Sequence, residues 1–493
     1  MKNRVSQLAF ALLAGALLLA SNALAQQQEG AAERDPIASL REDVRALSDE
    51  RMGGRGPDSD GLIRARDYIT RRLQDIGVDP AGAVGYHSPF EVVVHARRDR
   101  SNALKIGERV LAPGAEFTPH AISDEVELSG KPVFVGYGLS LPQHGWDDYA
   151  EVDVRDRVVL ALTGAPSAPP FTLAPEARYL LDPTSRAAVA LSRGARAILF
   201  INDPRSHGDR SDQRPDQLPT LGIDAPLQGI AVGVVTFKAA QRALEKSGVD
   251  LEALQDRIDA DGRPHSKALD VELSGKLAVA RERAEVHNII ARIEGKDASL
   301  GPVILGAHYD GLGFGFAGSL GDGERALHPG ADDNASGVAL LLEVARLLKG
   351  QSPERDIYLV AFSAEELGML GSHYFARMLG ERAADAQAVT VDMVGRLGGE
   401  LSLLGAERWR GPELALEQLA TQQNLALAHL PADSSNSDHI AFMHAGIQTL
   451  HLTTGRHADY HTPRDTEDRI SYEGLLSISR FTAALLLEMG NAK

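Results

Sequence analysis

The chain has 493 residues, too many for one compact core, and this length predicts two or three domains. Hydrophobic residues make up 43% and charged residues 24%, which is typical of a globular protein rather than a disordered or membrane-spanning one. The net charge of −17 and the lack of a long Lys/Arg run argue against a nucleic-acid partner. The chain contains no cysteine, which excludes disulfides, thiolate metal sites and a cysteine nucleophile.

The first 25 residues have the features of an export signal. Lys2 and Arg4 precede an apolar run from Leu8 to Ala20, and an A-x-A cleavage motif ends at Ala25. The apolar run is shorter than the roughly 20 residues that cross a bilayer. We therefore predict a signal peptide at 1–25, export to the periplasm or the medium, and no stable insertion in a membrane. An uncleaved anchor is the alternative.

After this segment, the pattern from Pro36 to Ile76 is helical, because apolar residues recur every three or four positions. The glycine-containing stretch 52–56 interrupts the pattern and predicts two helices rather than one. Residues 90–95 then form a short candidate strand.

Between about Thr118 and Arg281 the chain consists of short apolar runs separated by Pro- and Gly-rich connections. The runs cover residues 133–135, 158–162, 197–201 and 230–235. This pattern predicts a strand-rich module with few helices. The module contains no cluster of residues typical of catalysis.

From Val286 onward, candidate strands alternate with candidate helices. The predicted strands are His287–Ile293, Val303–Gly306, Ile357–Phe362, Ala388–Val391 and Thr449–Leu452, and the predicted helices include Gly337–Leu348 and Gly411–Gln422. Such alternation predicts an α/β fold whose mostly parallel central sheet is flanked by helices.

Polar side chains follow four of these strands, at the positions His308 and Asp310, Glu365 and Glu366, Asp392, and His461. A further segment, 330–337, has the sequence GADDNASG and opens a helix. Each segment alone has an ordinary explanation as a helix cap or a charged first helical turn. Ligand sites of open parallel sheets lie beyond the carboxyl ends of the strands, so these side chains are expected to converge. Two imidazoles and several carboxylates suit zinc.

The order of these segments resembles the M28 family of zinc aminopeptidases across about residues 286–493. The shared pattern is His-x-Asp, Gly-Ala-Asp-Asp-Asn-Ala-Ser-Gly, Glu-Glu, a strand-end Asp and His-Thr-Pro. The middle module resembles the protease-associated (PA) domain through 136–138 and 146–149. This resemblance implies a peptidase domain at 282–493, with its N-terminal part at 26–117, and a PA-like domain inserted at 118–281.

By this resemblance, the ligands of two Zn²⁺ ions are His308, Asp333, Glu366, Asp392 and His461. Asp333 would bridge the ions, His308 and Asp392 would complete one site, and Glu366 and His461 would complete the other. Glu365 would act as general base without binding metal, and the substrates would be peptides.

Two further carboxylates are expected to support the imidazoles, since metal-bound histidines commonly need such partners. Asp310 would support His308, and Asp438 would support His461. The Gly-rich segment 311–329, which contains Phe314 and Phe316, is either a mobile flap beside the pocket or a surface loop.

Other functions remain open at this point. The sequence has no G-x-S-x-G elbow and no H-E-x-x-H helix, so serine hydrolases and zincins lack their usual signatures. A glutaminyl cyclase or a carboxypeptidase related to M28 would share this sheet and part of the ligand set. A receptor-like binding protein, similar to transferrin receptor, would keep the domain pairing without catalysis.

Overall fold

The computed structural model describes residues 35–142, 145–167, 180–207, 227–315, 318–321, 325–410 and 414–492. The chain forms two compact units. Unit 1 comprises the residues up to Phe90 and from Glu285 onward, and unit 2 comprises Glu91–Ala284. The predicted signal peptide lies outside the described residues.

The strands are numbered in chain order. They are β1 (Asp79–Pro80), β2 (His87–Arg98), β3 (Ala103–Ile106), β4 (Arg109–Leu111), β5 (Phe117–Pro119), β6 (Val126–Gly130), β7 (Val133–Phe134), β8 (Ser140–Leu141), β9 (Trp146–Asp147), β10 (Val158–Leu162), β11 (Ala197–Ile201), β12 (Ala231–Val235), β13 (Lys267–Ala268), β14 (Leu273–Leu277), β15 (Val279–Ile293), β16 (Val303–His308), β17 (Ile357–Phe362), β18 (Gln387–Val391), β19 (Glu400–Leu404), β20 (Ala426–Leu430) and β21 (Gln448–Thr453).

The α-helices follow the same order. They are α1 (Pro36–Ser48), α2 (Asp60–Ile76), α3 (Pro183–Ser192), α4 (Pro204–His207), α5 (Phe237–Leu244), α6 (Leu251–Asp261), α7 (Gly337–Leu348), α8 (Leu370–Met378), α9 (Leu416–Gln422), α10 (His439–His444) and α11 (Tyr472–Asn491). The predicted helix 411–422 therefore begins at Leu416, and its residues 411–413 lie outside the described ranges.

The two N-terminal helices have the ends that their sequence predicts. The Asp35 side chain accepts a hydrogen bond from the backbone N–H of Ile37 at the start of α1, and Ser59 accepts one from Leu62 at the start of α2. Gly77 ends α2 in a left-handed conformation, which glycine adopts without steric cost. The predicted break lies in the 3-10 turn Glu50–Arg55 between the helices.

The sheet of unit 1 has the strand order β1-β15-β17-β16-β18-β21-β19-β20, and β2 also pairs with β15. Its four central strands, β17, β16, β18 and β21, are mutually parallel, whereas β15 and β19 join this centre in antiparallel orientation. The predicted mostly parallel sheet is confirmed. Its parallel centre places four carboxyl ends along one edge.

Both faces of this parallel centre are covered. On one face, Phe362 of β17 packs with Phe375 of α8 and Phe442 of α10. Successive strand residues point to opposite faces, so the equally buried Leu305 and Leu359 lie on the face covered by α7. The helix α7 is buried almost throughout, and it packs against α1 and α11.

Unit 2 contains a sheet of order β13-β7-β10-β11-β12-β5 and a second sheet of order β4-β3-β14-β6. Ala187 of α3 packs against one face of the first sheet, and Leu244 of α5 and Ile258 of α6 pack in the core on its other face. The strand-rich character is as predicted, but the helices are more prominent than expected from the sequence.

The sequence predicts that the inserted region begins at residue 118, whereas unit 2 begins at Glu91. The strands β3 and β5 begin before residue 118, yet β3 pairs with β14 and β5 pairs with β12 of unit 2. Strands of three or four residues are too short to show a period, so their partners could not be recognised from the sequence. The unit ends at Ala284 rather than 281.

No helix within the described ranges is both long and apolar enough to cross a bilayer.

Gly306 gives the first testable prediction, because a Cβ at this position would lie 2.3 Å from Cε2 of Phe362. Gly306→Ala should lower the free energy of unfolding by about 1–3 kcal/mol, since it overpacks the strand that carries His308. Urea unfolding would measure this change. Gly399→Ala is the control, because a Cβ added at Gly399 would meet no atom within 4 Å. Equal stability of the two variants would contradict the prediction.

Candidate metal centre

The candidate site lies at the carboxyl ends of the four parallel strands. His308 is the last residue of β16 and pairs in register with Phe362, the last residue of β17. Glu365 and Glu366 follow β17 closely, and Asp392 follows β18 directly. Neighbouring parallel strands that end in register bring the following residues to one edge of the sheet.

Asp333 lies at the centre of this cluster, with one carboxylate oxygen toward each imidazole. Oδ1 of Asp333 is 3.2 Å from Nε2 of His308, and Oδ2 is 3.1 Å from Nε2 of His461. Nε2 of His308 is also 3.4 Å from Oδ1 of Asp392, and Nε2 of His461 is 3.4 Å from Oε2 of Glu366. The five residues therefore form two groups of three that share Asp333, and each group could hold a metal ion.

The electrostatics of this cluster are dominated by buried carboxylates. Burial raises the pKa of Glu366 to about 8, with a further contribution from the charge of Asp333. Burial alone would lower the pKa of His461, but the carboxylates of Asp333 and Glu366 raise it to about 9. The pKa of Asp333 lies below its ordinary value, because the two imidazoles that it contacts outweigh the effect of its burial. Without a metal, the raised pKa values of Glu366 and His461 let these two groups hold protons that offset part of the negative charge.

The chemistry of the side chains fits a metal ion. His308 is only 1% exposed, and neither of its ring nitrogens makes a hydrogen bond to any residue that the structure describes. Oδ1 of Asp392 also has no hydrogen-bond partner although it is buried. Buried polar atoms without partners are costly, and a cation between imidazole nitrogens and carboxylate oxygens would satisfy them. Nitrogen and oxygen ligands of this kind suit zinc.

Glu365 lies beside the two groups without belonging to either. Burial raises its pKa well above the ordinary value, and the carboxylates of Glu366, Asp438 and Asp392 raise it further against the opposing effect of His308. A carboxylate whose pKa is raised is a stronger base than an exposed glutamate.

The orientation of His461 is fixed by backbone rather than by a carboxylate. Its Nδ1 donates a hydrogen bond of 2.7 Å to the carbonyl oxygen of Gly318, which leaves Nε2 without a proton when the ring is neutral. The prediction that Asp438 supports His461 is therefore wrong. Asp438 instead lies near His308 and Ser372, and its position in the loop before α10 gave no indication of this.

Asp310 also has a different partner from the predicted one. Its oxygens accept hydrogen bonds from the backbone N–H groups of Glu365 and Glu366, at 3.0 and 3.1 Å. Nδ1 of His308 lies 3.7 Å away, too far for a hydrogen bond. Asp310 therefore holds the loop that carries the two glutamates rather than the imidazole.

A buried network around Asp465 holds the loop that carries Asp333. The Asp465 carboxylate accepts hydrogen bonds from the backbone N–H groups of Asp332 and Asp333, and Arg396 donates to it at 3.0 Å. Burial raises the pKa of Asp465 to about 6, so the group is ionised at pH 7. Asp332 extends the network, because its Oδ1 accepts from the backbone of Gly395. The loops that follow β18 and β21 are thereby tied to the loop of Asp333.

Arg55 supports the same loop from the N-terminal helices. This arginine is 1% exposed, and its guanidinium donates to the carbonyl oxygens of Leu47, Tyr309, Pro329 and Gly330. These contacts connect the end of α1, the end of β16 and the residues before Asp333. Five donors in a planar fork suit several carbonyl acceptors at once.

Sequence reasoning missed Arg396, Asp465, Arg55 and Gly318. Asp465 was recognisable only as an acidic residue shortly after the His-Thr-Pro motif, and Arg55 only as a cation among glycines. Both interpretations of the segment 311–329, as a flap beside the pocket or as a surface loop, agree with the described residues. Phe314 is 51% exposed, and Phe316 lies outside the described residues.

Comparison with known proteins agrees with this fold. The fold is similar to that of an aminopeptidase from Aneurinibacillus sp. strain AM-1, with a TM-score of 0.55 and 21% identity over 93% of this chain and 94% of the other. Residues 288–486 match the model of peptidase family M28.

Two sequence relatives each match about two fifths of the chain. Aminopeptidase YwaD of Bacillus subtilis is 31% identical over 202 residues, covering 38% of this chain and 40% of YwaD. The uncharacterized protein YfbL of Escherichia coli is 30% identical over 226 residues, covering 39% of this chain and 67% of YfbL. This chain thus spans less than half of YwaD and about two thirds of YfbL. It belongs to peptidase family M28.

The Asp465 network gives the second prediction. Asp465→Asn should lower the free energy of unfolding of the metal-free protein by about 1–3 kcal/mol, because an amide cannot accept from both backbone donors and pair with Arg396. Urea unfolding would measure the loss. Asp468→Asn is a matched control, since Asp468 is 76% exposed.

A double-mutant cycle with Arg396→Gln would test whether the two side chains act together. Direct contact predicts a coupling energy of at least about 0.5 kcal/mol. Additive effects, or the same loss in Asp468→Asn, would contradict the role of the network.

Proposed function

We propose that the protein is a two-zinc aminopeptidase that hydrolyses the first peptide bond of peptides with a free amino end. The main support for this proposal is that Asp333 presents one oxygen to each of two imidazoles, while Asp392 and Glu366 complete the two groups of metal ligands. Names of relatives such as aminopeptidase YwaD support the same activity.

In this proposal, His308, Asp333 and Asp392 hold one zinc ion, and Asp333, Glu366 and His461 hold the other. When bound, the two ions would polarise the carbonyl of the scissile bond and lower the pKa of a water molecule to about 7. The backbone contacts of Asp310 and Asp465 hold the ligand loops in place before any ion binds.

Glu365 moves the proton. Its carboxylate accepts a proton from the water whose oxygen attacks the carbonyl carbon, and it then delivers that proton to the departing amine nitrogen as the carbon–nitrogen bond breaks. Its raised pKa makes it a stronger base for the first of these steps. One water is consumed, and an amino acid and a shortened peptide are released.

Unit 2 is proposed to be a PA-like domain, and export is proposed from the basic start, apolar run and cleavage motif of residues 1–25. Fractionation of cells that express the full chain or a version lacking residues 2–25 would test export. Retention of both in the cytoplasm would contradict it.

Glu365 gives the third prediction. Glu365→Gln should abolish nearly all turnover of leucyl-nitroanilide, because the amide cannot accept the proton, while zinc content and unfolding remain as in the wild type. Glu381→Gln is the control, since Glu381 is an exposed glutamate of the same unit. Wild-type activity of Glu365→Gln would contradict its role. Equal cleavage of free and N-acetylated peptides would contradict the aminopeptidase activity.

Metal stoichiometry gives the fourth prediction. The wild type should bind about two zinc ions per chain and lose activity with a chelator. Asp392→Asn and Glu366→Gln should each lose mainly one ion, whereas Asp333→Asn should weaken both because its carboxylate is shared. Mass spectrometry of dialysed protein would count the metal. A wild-type value near one would favour a glutaminyl cyclase, and activity without metal would contradict the proposal.

A further inference from the structure

Beside the candidate site, three planar groups form a stack. The rings of Tyr460 and His461 are stacked with centroids 3.7 Å apart and an interplanar angle of 20°. Cζ of Arg456 lies over the Tyr460 ring, 4.9 Å from its centroid. An arginine over an aromatic face is held by cation–π attraction, so the guanidinium has a preferred position next to the imidazole.

Arg456 differs from the other arginines of this loop region in having no carboxylate partner. Arg396 pairs with Asp459 and Asp465, and Arg464 pairs with Asp459 at 3.2 Å. Across the part of the chain that the structure describes, no carboxylate oxygen lies within the 4.0 Å ion-pair distance of Arg456. Its side chain is exposed, so its donors are available to a ligand.

We propose that Arg456 binds a carboxylate on the leaving side of the substrate and thereby makes short or acidic peptides the preferred substrates. The inference deepens the proposed aminopeptidase function and rests on it. The guanidinium fork matches a carboxylate with two parallel hydrogen bonds, which gives direction as well as charge.

The distances agree with this assignment. The separations of Arg456 from Tyr460 and of Tyr460 from His461 place Cζ of Arg456 within about 9 Å of the centre of the His461 ring. An extended peptide advances about 3.3–3.6 Å per residue, so this distance corresponds to two or three residues. The terminal carboxylate of a dipeptide or tripeptide cleaved beside His461 falls in this range. A long peptide carries its terminal carboxylate beyond it.

The charge of Arg456 assigns it to one end of the substrate. A guanidinium repels a protonated amine and attracts an anion, so Arg456 suits the carboxyl end. A protein of net charge −17 repels anionic peptides overall, and a cation beside the site offsets this repulsion locally.

Two pairs of substrates distinguish the sources of the carboxylate. Leu-Gly and Leu-Gly-amide differ only in the terminal carboxylate, and Leu-Asp-amide and Leu-Asn-amide differ only in an acidic side chain. We expect the wild type to favour the acid of at least one pair by about threefold to tenfold in kcat/KM, the range of an accessible charge-assisted contact. The difference should appear in KM rather than in kcat, because the contact is made before and during the reaction alike.

The variants then test the residue. Arg456→Gln should abolish the preference for the acid, and Arg456→Lys should keep part of it because the charge remains while the fork is lost. Arg464→Gln is the matched control, since it removes an equal charge from the same loop where Asp459 already holds the side chain.

The possible results of these measurements either support the role of Arg456 or overturn it. A wild type without preference, an unchanged preference in Arg456→Gln, or an equal loss in Arg464→Gln would overturn the inference. If Arg456 only braces Tyr460, Arg456→Gln would slow the acid and the amide equally, which also overturns it. Failure of the wild type to release leucine from any of these free-amine peptides would instead overturn the aminopeptidase function itself.

Discussion

The whole site depends on the position of one carboxylate, that of Asp333, between two imidazoles. Its two oxygens lie 3.2 and 3.1 Å from the facing nitrogens of His308 and His461. A carboxylate can serve two partners at once only if its loop is rigid, because an error of about 1 Å would favour one partner over the other. Backbone contacts from Asp465 and Arg55 provide that rigidity. The sheet brings the partners to one edge, and the buried polar network sets the final distances.

Such an arrangement concentrates negative charge where water is scarce. Asp333 shares one group with Asp392 and the other with Glu366, and burial and neighbouring charges raise the pKa values of Glu365, Glu366 and Asp438. A fold with this cluster is less stable without cations than its hydrophobic core alone would make it. The same repulsion gives metal ions a free-energy gain on binding.

The sequence revealed those parts of the molecule that follow a regular pattern. The helix α7 has the predicted bounds, and β17 does as well, because a buried helix and a buried parallel strand have strong apolar patterns. The convergence of the side chains after β16, β17 and β18 followed from the parallel pairing of those strands. The partners of Asp310 and His461 could not be found in this way, because they are backbone groups of irregular loops that carry no signal in residue type. The short strands before residue 118 were missed for the related reason that three or four residues show no period.

The hydrogen bond between His461 and Gly318 ties the chemistry of the ring to the conformation of a loop. The segment 318–321 is attached to the same residue a second time, since the backbone N–H of Leu320 donates to the carbonyl oxygen of His461. Any displacement of this segment removes the acceptor that fixes the tautomer of the imidazole. By reciprocity, whatever ligand requires that tautomer must stabilise this position of the segment by the same free energy. Occupancy of the candidate metal centre and the position of the segment 318–321 are therefore coupled in one equilibrium.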